Sequence, residues 1–204
     1  MSETASPRLS PFTGHLPSGR SGRPDGLPGL KVSPRPGLQI VQVAGRPAQE
    51  TGLAKAIAVG LRIAPPADPN MTNRETGLAA IWTGPCRWLF VADHDGPGDL
   101  AGQLTGLLAD KPAAITSLGH ARAVLNISGP NVRDVLAKGC GLDLHPTRFA
   151  IDHCAQTSIS HTAVLIDCRQ TDGFDLYISR SYAVFFAEWL INAGREYGVD
   201  VSGA

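Results

Sequence analysis

The distribution of proline constrains the fold of this chain more than any other feature of its sequence. Eleven of the sixteen prolines precede residue 70, and the stretch PSGRSGRPDGLPGLKVSPRPG, residues 17–37, is almost entirely proline, glycine, serine and charged residues. Such a segment has too little apolar surface to offset the entropy of ordering, and its prolines exclude a long helix. We therefore expect residues 1–37 to form an extended or disordered arm, which either lies along the surface of a partner or is a tail.

Regular structure is expected from Leu38 onward, in two halves that each combine strands with helices. In residues 38–120 the spacing of apolar side chains predicts the order β-α-β-β-α-β, which is that of a ferredoxin-like unit. In residues 121–200 it predicts β-α-β-β-β-α, a loose echo of the first half, followed by a tail at 201–204. The sequence therefore predicts an α+β protein made of two packed halves related to the ferredoxin-like fold.

Charge and cysteine content exclude several classes of partner. The chain has 18 basic and 18 acidic residues, a balance that argues against nucleic acid or a membrane surface held by electrostatics. No apolar run approaches the ~20 residues that a membrane-spanning helix needs.

The four cysteines (Cys86, Cys140, Cys154 and Cys168) are far apart and include no CxxC pair. This usage is typical of reduced thiols, and we expect a cytoplasmic protein.

The turn Ser128-Gly129-Pro130 resembles the start of a phosphate-binding loop, because a strand pattern leads through it directly into a helix pattern. A phosphate loop, however, needs several glycines and usually a lysine, so that consecutive backbone amides can face the ligand. Here there is one glycine, followed by a proline that has no amide hydrogen. We expect Pro130 at the first position of a capped helix that stops at Gly139, with no nucleotide bound.

Metal ligation has weak support in the sequence. His153 and Cys154 are adjacent, so on a strand their side chains point to opposite faces and cannot share an ion. His161 and Cys168 are also available, but their spacing does not match that of a metal site. The sequence therefore predicts no metal-binding residues in this chain.

Nucleophilic catalysis has equally weak support. Ser160, His161 and Asp167 supply the residue types of a catalytic triad, but no G-x-S-x-G elbow is present. Neighbouring serine and histidine side chains also diverge on a strand. Cys140 follows the C-terminal end of a predicted helix, where the helix dipole disfavours a thiolate. We predict no catalytic residue in this chain.

The aromatic residues have two interpretations. Trp82, Trp88, Trp189, Phe185 and Phe186 are able to line a flavin or pterin pocket. At these spacings they more often form a hydrophobic core or a protein–protein surface. No paired carboxylates accompany them, so the sequence predicts no cofactor-binding residues in this chain.

Several short motifs together carry a resemblance to a known family. They lie in LNISGPNVRDVLAKGCGLDLHPTRFAIDHCAQTSISHTAVLI, in FDLYISRSYAVFFAEWLINAG and in IWTGPCRWLFV of the first half. The resembling features are the Ser-Gly-Pro turn, Arg133, Leu136, Asp143-Leu144-His145-Pro146, Phe149, Cys154, Thr157, and the Phe-Asp-Leu strand before Arg180-Ser181-Tyr182. From about Leu38 to Ala193, the chain resembles the gamma subunits of bacterial heterotetrameric sarcosine oxidases.

This resemblance implies the fold of the folate-binding aminomethyltransferase (glycine cleavage T protein) group and an accessory, non-catalytic role. It implies a complex that oxidises sarcosine to glycine with oxygen, forms hydrogen peroxide and passes the one-carbon unit to tetrahydrofolate as 5,10-methylenetetrahydrofolate. The implied partners are the alpha, beta and delta subunits. FAD, FMN and NAD are implied for the alpha and beta subunits and zinc for the delta subunit, while this chain holds no cofactor.

One motif departs from a related group. Folate-binding iron–sulfur assembly factors share this fold and carry a Lys-Gly-Cys-Tyr-x-Gly-Gln-Glu motif. Lys138-Gly139-Cys140 matches its start, but the residues after Cys140 do not continue it. We therefore assign Cys140 no function from that group.

Two other functions stay open at this point. The first is a stand-alone folate-binding protein for one-carbon transfer, which needs a carboxylate in a cavity between the halves; Asp152, Asp167 and Asp175 are the acids in suitable strand positions. The second is an interaction module without any link to sarcosine.

Overall fold

Two β-sheets and four helices make up the computed structural model, which describes residues 10–23, 25–93 and 96–203. The strands are β1 (Gly19–Ser21), β2 (Leu30–Pro34), β3 (Gln39–Ala44), β4 (Thr72–Glu75), β5 (Leu78–Gly84), β6 (Arg87–Ala92), β7 (Ala114–Ser117), β8 (Arg122–Ser128), β9 (Cys154–Ile159), β10 (Thr162–Gln170), β11 (Gly173–Ser179) and β12 (Val199–Val201). The helices are α1 (Glu50–Leu61), α2 (Leu100–Leu107), α3 (Val132–Ala137) and α4 (Ala183–Gly194). The predicted α+β class is confirmed.

The strands are divided between a seven-stranded sheet and a five-stranded sheet. The larger sheet has the order β1-β12-β2-β8-β11-β10-β9, and the smaller has the order β4-β5-β6-β3-β7. All neighbouring strands are antiparallel except β12 and β2, which are parallel. The smaller sheet contains strands from residues 39–117, whereas the larger combines strands from both ends of the chain.

Three buried clusters arrange these elements in four layers. One cluster packs α3 and α4 on the outer face of the large sheet, and a second packs α1 and α2 on the outer face of the small sheet. The third lies between the sheets and joins Ile40, Ile81 and Leu89 of the small sheet to Leu165 and Tyr177 of the large one. Because successive side chains of a strand face opposite sides, each sheet buries both of its faces. The division at residue 120 stays a prediction, since the halves share this third cluster.

Backbone hydrogen bonds also connect the two halves. Thr72 N donates to Asp152 O over 2.8 Å, and Cys154 N donates to Asn70 O over 2.8 Å. The start of β4 is thereby fixed against the start of β9. The two sheets meet at a defined register along this seam.

The expectation of an arm at residues 1–37 is wrong for residues 30–34. These residues form β2, which lies inside the large sheet between β12 and β8. Leu30 and Val32 are fully buried in the cluster under α4, and Phe12 and Leu16 also belong to that cluster. The sequence pattern did not predict this strand because only two of its residues are strongly apolar. Its partner strands β8 and β12 begin at residues 122 and 199, far along the chain. Residues 1–9 and Pro24 lie outside the described residues.

The strand order within the halves also needs two corrections. The first half contains β4, a short polar strand that the order β-α-β-β-α-β does not include. The second half continues past α4 into β12, which pairs with β2 and β1 and begins before the expected tail. No helix within the described residues is long and apolar enough to cross a membrane.

Candidate functional site

Two carboxylates face each other in the centre of the large sheet. Asp167 of β10 and Asp175 of β11 are directly opposite in the strand register, and both are fully buried. Like charges in this position destabilise a sheet unless opposite charges compensate them. The chain supplies that compensation with three arginines from separate segments, and we call Arg35, Arg74, Asp167, Arg169 and Asp175 the seam cluster.

Asp167 is held by residues of the small sheet. Arg74 of β4 donates from Nη2 to Asp167 Oδ1 over 2.5 Å, and Thr72 Oγ1 lies 3.0 Å from the same oxygen. Arg74 also donates from Nε to Asp152 Oδ1 over 2.9 Å. The guanidinium of Arg74 therefore connects β4 to β10 and to Asp152, two residues before β9. The second oxygen of Asp167, Oδ2, is buried and has no hydrogen-bond partner among the described residues.

Asp175 is held from three sides. Arg35, which follows β2, pairs with Asp175 Oδ2, and Arg169 Nη1 donates to the same oxygen over 2.9 Å. Asn126 Nδ2 donates to Asp175 Oδ1 over 2.8 Å. Arg35 also pairs with Asp93 of the first half at 3.6 Å. The residue just after β2 thus contacts both halves.

Burial is the largest single influence on the pKa values of Asp167, Arg74 and Tyr177 at this site. It raises the pKa of Asp167, and the negative charge of Asp175 adds to that effect, while Arg74 and Thr72 act in the opposite direction. Burial alone would lower the pKa of Arg74, but the charge and hydrogen bonds of Asp167, together with Asp152, raise it. Burial also raises the pKa of Tyr177, followed by the charges of Asp167 and Asp175. Groups with such shifts often mark functional sites, but buried structural ion pairs produce them as well.

The volume of the cavity at the seam indicates whether these shifted pKa values belong to a ligand-binding site or to structural ion pairs. The cavity lined by Arg35, Arg74, Arg169 and Tyr177 measures about 50 Å³. Sites for small organic ligands typically measure roughly 300–1,000 Å³. The seam cluster therefore has room for a water molecule and not for a pterin, and its carboxylates serve to fix the two halves together.

The structure places all three candidate acids of the sequence in or beside this cluster. Asp167 and Asp175 belong to it, and Asp152 accepts the second hydrogen bond of Arg74. The arginines were missed, since nothing near Arg35, Arg74 or Arg169 in the sequence indicates a partner. The available signal was indirect: an aspartate inside an apolar strand such as TAVLIDCRQ requires an opposite charge somewhere in the fold.

The Ser-Gly-Pro turn has no amides free for a phosphate. Gly129 N donates to Asp172 O over 3.0 Å, and Asn131 N donates to Gly29 O over 3.0 Å. Gly129 has a φ of +130°, and a Cβ there would lie 2.4 Å from the oxygen of Gly29, so the glycine is required by close backbone packing. The expectation that Pro130 begins the helix is wrong: α3 begins at Val132, with Asn131 as its N-cap.

The triad and metal candidates are dispersed. Ser160 and His161 form the turn between β9 and β10, with φ angles of 46° and 63°, whereas Asp167 lies about 20 Å further along β10. His153 contacts the edge of Phe149, with 5.9 Å between the ring centres. Among the described residues, no three His, Cys, Asp or Glu side chains lie close enough together to hold a metal ion.

The four cysteines are free thiols and all are buried. Burial raises the pKa of the Cys154 thiol to about 12. Its sulfur lies 3.4 Å from the carbonyl oxygen of Met71, at the seam between the halves. Cys140 follows α3 and lies 3.9 Å from the hydroxyl of Thr157. The Cys154 thiol is protonated at neutral pH and acts as a packing residue.

The aromatic residues do not converge on one pocket. Trp82 and Trp88 belong to the cluster under α1 and α2, whereas Phe186 and Trp189 belong to the cluster under α4. Phe185 is 55% exposed and points outward from α4. These five aromatic residues are therefore divided between two hydrophobic cores and one surface position.

Comparison with known proteins identifies the family. The model of the sarcosine oxidase gamma subunit family matches residues 44–196, three quarters of the chain. This chain belongs to the sarcosine oxidase gamma subunit family. The sarcosine oxidase subunit gamma of an Arthrobacter species is 34% identical over 154 residues, which cover 74% of this chain and 71% of the relative. That of Corynebacterium sp. strain U-96 is 32% identical over 145 residues, 71% of this chain and 68% of the relative.

Solved structures support the fold of this gamma subunit family member. A chain of heterotetrameric sarcosine oxidase from Corynebacterium sp. U-96 superposes with a TM-score of 0.81 at 23% identity, over 93% of this chain and 96% of that one. Aminomethyltransferase T of the glycine cleavage system from Bartonella henselae superposes with a TM-score of 0.61 at 17% identity, over 86% of this chain and 48% of that one. The expected aminomethyltransferase-like fold is confirmed.

Arg133, one of the motif residues that resemble the gamma subunit family, makes several contacts within the fold. Arg133 of α3 donates from Nε to Thr171 O over 3.0 Å and from Nη1 to Phe149 O over 3.2 Å. Its guanidinium also lies 4.9 Å from the centre of the Phe174 ring. One arginine thus holds the irregular segment between α3 and β9 against the β10–β11 hairpin.

Proposed function

We propose that this chain is the accessory gamma subunit of a heterotetrameric sarcosine oxidase and contributes no catalytic group. The observation that carries the proposal is the family match over residues 44–196, in which the curated relatives at 30–34% identity are named sarcosine oxidase subunit gamma. In this role the chain acts in the cytoplasm beside the alpha, beta and delta subunits.

The chemistry of the complex is assigned to those other chains. FAD, FMN, NAD and tetrahydrofolate belong to the larger subunits and zinc to the delta subunit. The assembly converts sarcosine, tetrahydrofolate and oxygen into glycine, 5,10-methylenetetrahydrofolate and hydrogen peroxide. The four buried thiols and the dispersed histidines of this chain support the assignment, because none of these side chains forms a constellation suited to electron or group transfer.

The seam cluster supports an accessory role over one-carbon transfer by this chain. A folate-binding enzyme needs a carboxylate that faces a cavity of pterin size. Here the carboxylates of Asp167 and Asp175 are paired with arginines, and the space beside them is about 50 Å³. The similarity to aminomethyltransferase T is therefore a similarity of fold, with the space between the sheets filled by the chain itself.

An accessory subunit also needs a surface for its partners. Tyr182 and Phe185 are 56% and 55% exposed, and their spacing of three residues puts them on one side of the start of α4. Aromatic residues are enriched in protein interfaces relative to the rest of the surface. We assign this pair to the contact with another subunit of the oxidase.

The test is purification of the complex from the native cell through an affinity tag on this chain. We expect three accompanying polypeptides and a yellow eluate, because the flavins belong to the partners. A colourless eluate that contains only the tagged chain would contradict the proposal. Tight binding of tetrahydrofolate by that lone chain would favour a one-carbon transfer protein, and a colourless eluate with other proteins would favour an interaction module without a link to sarcosine.

A further inference from the structure

A second and larger cavity opens where the two halves of the chain are connected. It measures about 270 Å³, and its walls come from the segment after β2, from the turn between β7 and β8, and from residues 10–12. Arg35 lies in the wall between this cavity and the seam cluster. Apart from Arg35, which also belongs to the seam cluster, no described residue of the cavity wall has a role in the function proposed above.

Positive charge surrounds this cavity. Arg35, Arg122 and Arg180 line it, and none of its described lining residues is an aspartate or glutamate. The charge of Arg35 is balanced behind the wall by Asp175 and Asp93. The side chain of Arg122 adds a positive charge that no described acidic residue of the cavity wall balances.

Arg122 is the residue that most needs a counter-charge. It begins β8, is partly buried, and makes no hydrogen bond or ion pair through its side chain with any described residue. Its register partner on β11 is Ser179, so Arg180 follows immediately beside it at the cavity. A guanidinium presents several N–H donors in a rigid fork, and leaving them without acceptors in a partly dehydrated position is unfavourable. A bound anion would supply those acceptors.

The floor of the cavity is apolar. Phe12, Leu38 and Val124 contribute side chains that are buried in the protein and border the cavity. The volume of about 270 Å³ is close to the lower end of the range of roughly 300–1,000 Å³ that small organic ligands occupy. An anion that contacts both this apolar floor and the arginines around the cavity therefore combines a charged group with a compact apolar body.

We propose that this cavity binds a small organic carboxylate. The carboxylate accepts the paired N–H groups of Arg122 in the bidentate arrangement that guanidinium and carboxylate favour, while the apolar body covers the floor next to Phe12. Occupation of the cavity tightens the junction between β2, β8 and the connection from the first half. The site is separate from the oxidase chemistry and does not depend on the identity of the partner subunits.

The test is isothermal titration calorimetry of the full-length chain with cyclohexanecarboxylate. We expect saturable binding at one site, which the neutral analogue cyclohexanecarboxamide does not reproduce. Arg122→Gln weakens the binding by about tenfold or more, because it removes a charge-assisted pair. Arg122→Lys, which keeps the charge and loses the fork, retains part of the affinity.

The matched control is Arg87→Gln, which removes the same charge from an exposed position on β6 outside the cavity and leaves the affinity unchanged. Thermal unfolding of each variant checks that the fold is intact. Absence of saturable binding to the wild type, equal affinity for the amide, or equal affinity of Arg122→Gln would each overturn the proposal. Tighter binding of inorganic phosphate than of the carboxylate would overturn it too, since phosphate has no apolar body to place on the floor.

Discussion

Arg74 and Asp167 join the two sheets of this protein through a hydrogen bond of 2.5 Å between Nη2 and Oδ1. The arginine belongs to the small sheet and the aspartate to the large one, 93 residues apart in sequence. The apolar third cluster and the paired charges of the seam cluster fill the space between the two sheets, so the seam stabilises the fold.

Removal of Arg74 is expected to destabilise the protein strongly. Arg74→Ala leaves the fully buried Asp167 with Thr72 as its remaining hydrogen-bond partner, and breaking a buried pair in this way costs about 3–5 kcal/mol. Urea titration measures the loss in the free energy of unfolding. Lys111→Ala is the control, because it removes a solvent-screened surface pair with Asp110 and is expected to cost much less. Equal effects of the two variants would show that the seam pair has no special weight.

The pKa of Asp167 predicts a pH dependence of definite sign. Burial raises this pKa above its ordinary value of 3.8, so between the two values the folded state binds a proton more readily than the unfolded chain. The contribution of this carboxyl to stability therefore increases as the pH falls through the raised pKa. Relative to Asp167→Asn, which does not titrate, the wild type should gain free energy of unfolding as the pH falls from about 7 towards 4.

Asp110 provides the control of opposite sign. Its pKa is lowered by the hydrogen bond and charge of Lys111 at the surface, so acid should slightly reduce its contribution. Unfolding of both Asn variants by urea over the same pH range measures the difference. If the wild type lost stability relative to Asp167→Asn on acidification, the pairing with Arg74 would outweigh burial and our assignment of the shift would be wrong.

The strand β2 is expected to be essential to the fold. Leu30 is fully buried between α4 and the large sheet, so Leu30→Ala should lower the free energy of unfolding by about 2–5 kcal/mol. Leu27, three residues earlier, is 92% exposed, and Leu27→Ala should leave the stability within about 0.5 kcal/mol. Thermal or urea unfolding of the two variants makes the comparison. Equal stability would mean that residues 30–34 act as an arm after all.

The exposed aromatic pair at the start of α4, Tyr182 and Phe185, is expected to contribute to assembly. Phe185→Ser should weaken the association with the other subunits by about tenfold or more, as loss of an aromatic interface residue commonly does. The stability of the chain itself should stay unchanged, because the side chain is 55% exposed. Val59→Ser is the matched control, since Val59 is 76% exposed on α1. Co-purification yields from tagged variants measure the effect, and equal yields from both would place the contact elsewhere.

Local sequence patterns predicted most of the elements after residue 38, because their apolar residues alternate or recur at helical spacing within each segment. The phosphate-binding interpretation of Ser128-Gly129-Pro130 was also correctly rejected, since its amides are bonded within the fold. Strand β2 and the short polar strand β4 were not predicted, because their stability comes from partners distant in sequence. The pairing of Arg35 with Asp175 joins residues 140 positions apart, and no local pattern encodes such a contact.

The resemblance to the gamma subunit family was predicted from combined short motifs and is confirmed by the family match. Among those motifs, Arg133 and the Ser-Gly-Pro turn make hydrogen bonds that organise the second half. Asp152, Asp167 and Asp175 were named as acids in strand positions suited to a pterin contact; Asp167 and Asp175 do lie on strands, whereas Asp152 lies in the turn before β9. Their role differs from the pterin contact that a folate enzyme would need, because each of them pairs with an arginine.

The most direct test of the account is sarcosine-dependent formation of hydrogen peroxide, measured with the isolated full-length chain and with the complex assembled by co-expression of all four subunits. The account predicts peroxide from the flavin-containing complex and none from the chain alone, which should also lack visible absorbance. Turnover of sarcosine by the chain alone would contradict the account.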